Sequence, residues 1–225
     1  MSPANWIRHD VFGFFLPLMT ILGDIVDLNA QKNHPRFGQR TSWELHETEI
    51  TRQLERYAYS IEEFKAQHGC GPNEEGVNQP NGTPDPVRGE WIHQTRKVAA
   101  YATHIMHVLH ILLHGKWDPV ALLEDDNMWI CSQSFLAATS NAISAAHAVE
   151  EILDVDPDLS FMPYLFGMYL LQGSLILLLL ADKLSTETND GVIRACETIV
   201  RAHEAAVVTL NTEYQVSHMS PLRLL

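Results

Sequence analysis

The segment that most constrains this chain is FMPYLFGMYLLQGSLILLLLADKL, Phe161 to Leu184. Between Tyr164 and Ala181 only Gln172 and Ser174 are polar, so a helix built from it is apolar around its whole circumference. Such a helix is either a membrane span or the central strut of a helical domain. Its length reaches the lower limit for crossing a bilayer. Its flanks, however, carry Asp156, Asp158, Asp182 and Lys183, with no cluster of Lys or Arg to set an orientation. The other helical segments are amphipathic and need apolar surface to pack against. We therefore expect a buried central helix, with a membrane-associated helical protein as the alternative.

The remaining segments read as helices around that strut. Val11 to Asn29 is strongly apolar, with Pro17 either kinking the rod or marking its first turn. Thr41 and Glu44 form a capping-box pattern opening a helix to about His68, with a stripe at Leu54, Tyr57, Ala58 and Ile61. Residues 69–89 are rich in proline and glycine and offer almost nothing to bury, which predicts a flexible insertion. Glu90 to His114 is the next helix, closed by Gly115; Asp118-Pro119 is a cap starting a short turn. Asn127 to about Asp154 is an alanine-rich helix ended by Pro157, and Asp190 to about Tyr214 is the last, amphipathic through Val192, Ile199, Ala202 and Ala206. No alternating pattern is long enough for a strand. The expectation is one all-α domain over residues 1–225, of about six to seven helices.

Charge and cysteine usage narrow the function. The formal net charge of −13 disfavours direct nucleic-acid binding, because phosphate affinity comes from Lys and Arg. Cys70, Cys131 and Cys196 are far apart and form no C-x-x-C pair, a spacing that suits a reducing compartment. Cys131 and Cys196 lie in helical patterns and read as small buried hydrophobes.

The sharpest local feature is the set His104, His107, His110 and His114. On a helix they fall within an arc of roughly 120°, opposite Val98, Tyr101, Ile105, Val108, Leu109 and Leu112. Histidines three or four apart can share a metal ion, so these four are the metal candidates of a helical metal-dependent enzyme. The zinc-protease motif is absent, since Ile50 stands where His46-Glu47 would need its second histidine. A di-iron bundle needs two Glu-x-x-His pairs, and Glu90 to His93 is the one at hand. The simpler reading is a polar helix face packed under a neighbouring segment. Gly173-Ser174 lies inside the apolar helix, where a hydroxyl bonds back to its own turn. No catalytic and no cofactor-binding residues are assigned, and the chain reads as a non-enzyme.

Four stretches carry a family resemblance: PLMTILGDIVDLN from Pro17, HIMHVLHILLHGKWDP from His104, SFMPYLFGMYLLQGSLILLLLADKL from Ser160 and ACETIVRAHEAAVVTLNTEYQ from Ala195. They resemble the regulatory region, or fungal-specific transcription factor domain, of fungal zinc-cluster activators, over about His9 to Gln215. The resemblance implies a nuclear regulator that switches on genes for xylan- and cellulose-degrading enzymes in response to a sugar-derived inducer. Its partners would be the remainder of the activator and the transcription machinery, with no membrane. The family binds DNA through six cysteines holding two zinc ions. That cluster has no counterpart among the three scattered cysteines here, so zinc and DNA binding carry over to no residue of this chain. The expectation is a partial regulator, with Phe161 to Leu184 forming a large apolar patch wherever its neighbours are missing.

Overall fold

A computed structural model describes residues 11–36, 43–67, 86–118, 120, 127–161, 163–183 and 190–219. Among them there are seven helices and no strand: α1 (Val11–Lys32), α2 (Glu44–Gln67), α3 (Pro86–His114), α4 (Asn127–Ile130), α5 (Gln133–Val155), α6 (Pro163–Lys183) and α7 (Asp190–Met219). The all-α class expected from the sequence is what the chain adopts. It groups into two compact units, residues 1–113 and 114–225.

In the first unit, α1 and α2 form an antiparallel hairpin. Each presents a buried stripe at alternating spacings of three and four residues, Phe14, Leu18, Ile21, Ile25 and Leu28 on α1 and Ile50, Leu54, Tyr57, Ile61 and Phe64 on α2. That spacing keeps one face of each helix turned toward the other. Both ends of the hairpin are tied. Phe14 meets Phe64 edge-to-face at 5.0 Å between ring centroids, and Lys32 pairs with Glu47 at the other end. Pro17 sits inside α1 and supplies no N–H to the carbonyl four residues earlier. One residue on, the buried Tyr57 hydroxyl donates to the Phe14 carbonyl at 2.6 Å. Thr41, the proposed capping residue, lies outside the described residues.

The third helix starts at Pro86, inside the span read from sequence as a flexible insertion. Proline at a first helical position has its φ already set and lacks only a hydrogen bond that position would not make, so residues 86–89 extend α3; 68–85 lie outside the described residues. From Val98 to Leu113 this helix is buried on nearly every side, with Tyr101, Ala102, His104, Val108 and Leu109 fully enclosed.

The second unit is a three-helix assembly of α5, α6 and α7, each packed on the other two. Ala138, Ala142, Ala145, Val149 and Ile152 of α5 are fully buried, and the small side chains of the alanines let the neighbouring helices approach closely. Phe166, Leu170, Ile176 and Leu177 of α6 and Val192, Ala195, Ile199, Ala202 and Ala206 of α7 complete the core. The alanine-rich segment is two helices rather than one. Ser132 adopts extended backbone and its hydroxyl accepts from the Phe135 N–H, capping α5 and separating it from the single turn of α4.

The joint between α5 and α6 is built on Asp156. Its N–H closes α5 onto the Ile152 carbonyl at 2.7 Å. Its carboxylate accepts from the Ser160 hydroxyl at 2.9 Å and the Phe161 N–H at 3.0 Å. Between them Leu159 takes a left-handed conformation, φ 49°, with its side chain wholly buried. Thr209 of α7 donates its hydroxyl to the Asp158 carbonyl, fastening the joint to the last helix.

Candidate interaction surface

The chemistry-bearing residues singled out in the sequence are dispersed over the two units. His104 is fully buried, whereas His107, His110 and His114 are half-buried along the least enclosed line of α3. Among the described residues no three of His, Cys, Asp and Glu gather closely enough to hold one metal ion. Among the described residues His104, His107, His110 and His114 gain no third ligand from another element, and no step through a metal is assigned to them. His46 is exposed and lies against Trp43, 6.1 Å between ring centroids, while Glu47 is engaged by Lys32. Glu90 and His93 are exposed near the start of α3. Ser174 donates to the Leu171 carbonyl at 2.7 Å, the bond back to its own turn that the sequence suggested.

One cysteine assignment is corrected. Cys131 is exposed, because the Ser132 cap breaks the helix at that point and leaves the thiol in the turn between α4 and α5. Cys196 is half-buried on α7, and burial pushes its thiol above the usual range, which lowers its thiolate fraction and hence its reactivity. Buried phenols behave the same way: desolvation pushes Tyr57 well above the ordinary tyrosine range and raises Tyr169 as well.

What the structure brings together instead is apolar surface. One face of α6 forms the core; the opposite face is exposed. Tyr164 is 66% exposed, Met168 67%, Leu171 50% and Leu178 63%, with the half-buried Leu175 between the last two. Their spacing of 4, 3, 4 and 3 residues is a heptad seam along the helix. No charged residue occurs from Pro163 to Ala181, so no charge lies along this seam before Asp182 at the end of α6. The next helix carries a second apolar line at sevenfold spacing, Ile193, Val200 and Val207, the last two 57% exposed each. Contiguous exposed apolar surface of this kind marks an interaction site. Its chemistry is burial against another apolar helix; it offers no nucleophile or acid–base pair.

The sequence placed a large apolar patch on this stretch but not on one face of it, for a physical reason. Hydropathy records how much each residue gains by leaving water, and on α6 both faces gain equally. The seam at 164, 168, 171, 175 and 178 and the core line at 166, 170, 173 and 177 are equally apolar. Only the packing of α5 and α7 shows which side is covered.

The chain is 52% identical to the xylanolytic transcriptional activator xlnR of Aspergillus flavus over 96% of its own length. It is 54% identical to that of Aspergillus terreus over 95% and 51% identical to that of Neosartorya fischeri over 98%. It spans about a quarter of these relatives' length, 24%, 24% and 26% respectively. No family model matches the chain. No solved structure matches it. The relatives carry the name of transcriptional activators and not of enzymes, in agreement with the resemblance read from the four stretches above.

Proposed function

We propose that this chain serves as the regulatory region of a fungal transcription activator that controls genes for xylan-degrading enzymes. The observation that carries this reading is identity above 50% to activators of that name, sustained over nearly the whole chain. The helical architecture supports it, since two compact helical units with an exposed apolar face suit a part that works through contacts with other protein surfaces. The proposed setting is the nucleus, the partners being the rest of an activator and the transcription machinery. Contact with DNA would be made through a zinc cluster outside these 225 residues.

The proposed mechanism is a shift between two packings of the helical region, biased by a sugar-derived inducer. An inducer shifts such an equilibrium only by its differential affinity for the two states. A tenfold bias requires about 1.4 kcal/mol of that difference. In a fungal reporter strain, removing residues 90–184 from the activator should abolish or fix the response to xylose or xylan. An inducer response unchanged in amplitude and threshold would refute the proposal.

A further inference from the structure

We propose that the exposed seam of α6 is a self-complementary surface on which a second copy of this chain docks, with the two α6 helices antiparallel. The argument is one of register and charge. In heptad terms Tyr164, Leu171 and Leu178 occupy d positions, and Met168, Leu175 and Asp182 occupy a positions. A two-fold axis crossing the seam at the height of residue 173 pairs each a residue with a d residue of the other copy. Tyr164 then faces Asp182, Met168 faces Leu178, and Leu171 faces Leu175, each pair made twice.

The register leaves no mismatch. The apolar residues meet apolar residues, and the one acid in the series, the exposed Asp182, meets the one hydroxyl, the exposed Tyr164. A phenol donating to a carboxylate at the rim is a charge-assisted hydrogen bond. The parallel alternative would set Asp182 against Asp182, which is repulsive. A highly charged partner is disfavoured as well, because α6 between Pro163 and Ala181 carries no charge to complement it. The inference rests on the geometry of α6 and stands apart from the regulatory reading above.

The test uses the full 225-residue chain. Sedimentation over a concentration series should show a reversible monomer–dimer equilibrium. Leu171→Glu, at a half-exposed position, should weaken it at least about tenfold while leaving helicity by circular dichroism unchanged. Crosslinking then fixes the register. The double variant Tyr164→Cys with Asp182→Cys should give an intermolecular 164–182 disulfide, identified by peptide mass spectrometry. Tyr164→Cys alone should give no 164–164 disulfide, because those positions lie about 27 Å from each other along the seam. A monomer at every concentration overturns the proposal, as does recovery of the chain only in detergent. A 164–164 disulfide or a Leu171→Glu variant that dimerises as tightly as the parent also overturns it.

Discussion

At the scale of single residues, two buried polar groups hold the fold's joints. The Tyr57 hydroxyl reaches across to the Phe14 carbonyl in the turn of α1 next to Pro17. Tyr57→Phe should cost about 1 kcal/mol at neutral pH, the net worth of one hydrogen bond. The pH dependence has a definite sign. Burial raises the folded phenol above its unfolded value near 10. Its contribution is therefore fully present below about pH 10 and is lost as the pH climbs, by up to about 1.4 kcal/mol per unit. Urea midpoints at pH 8 and pH 11 should show the parent losing its advantage over Tyr57→Phe at the higher pH. An advantage that holds or grows at pH 11 would contradict that assignment. Asp156 has the same weight in the second unit, because its buried carboxylate accepts two bonds in the α5–α6 joint. Asp156→Ala should cost about 1–3 kcal/mol by urea unfolding, and Asp156→Asn, which keeps one acceptor, less. The adjacent Leu159 shows how magnitudes decide. Its left-handed backbone costs about 1–2 kcal/mol, but truncating a fully buried leucine costs about 2–5 kcal/mol. The strained leucine therefore stays.

Among the elements, what was legible in the sequence was periodicity, and what was not was coverage. The stripe Leu54, Tyr57 and Ile61 on α2 and the line Val192, Ile199, Ala202 and Ala206 on α7 are buried as their spacing demanded. Two helix ends were legible from local devices, Gly115 after α3 and Pro157 after α5. Cys131 was misread because a serine cap within an alanine-rich run leaves no trace in apolar spacing. The deeper difficulty lies in α3 and α6. The helix enclosed nearly all round is α3, despite its histidines, whereas the more apolar α6 leaves one face in solvent. Neighbouring leucines make that orientation measurable. Leu170 is wholly buried and Leu171 is 50% exposed. Leu170→Ala should destabilise by about 2–5 kcal/mol, and Leu171→Ala by at most about 0.5 kcal/mol under dilute, monomeric conditions. Equal losses would mean that the seam is covered within the monomer.

For the whole molecule, charge and apolar surface act against each other. Twenty-eight acidic and fifteen basic residues leave each chain at −13, so two copies repel as they approach. The α6 seam contributes none of that charge between Pro163 and Ala181, and its association is driven by removing apolar surface from water. Salt separates the two contributions. Raising the ionic strength from about 0.1 M to about 1 M shortens the screening length from about 10 Å to about 3 Å. The repulsion between copies is thereby suppressed while the apolar contact remains. The dissociation constant of the dimer should therefore fall as sodium chloride is raised, with the rim contact between Tyr164 and Asp182 too exposed to reverse the trend. A complex held by ion pairs with a basic partner would behave in the opposite way. Sedimentation at several salt concentrations reads the sign directly. A dissociation constant that rises with salt would show that charge, and not the apolar contact of α6, holds the copies together.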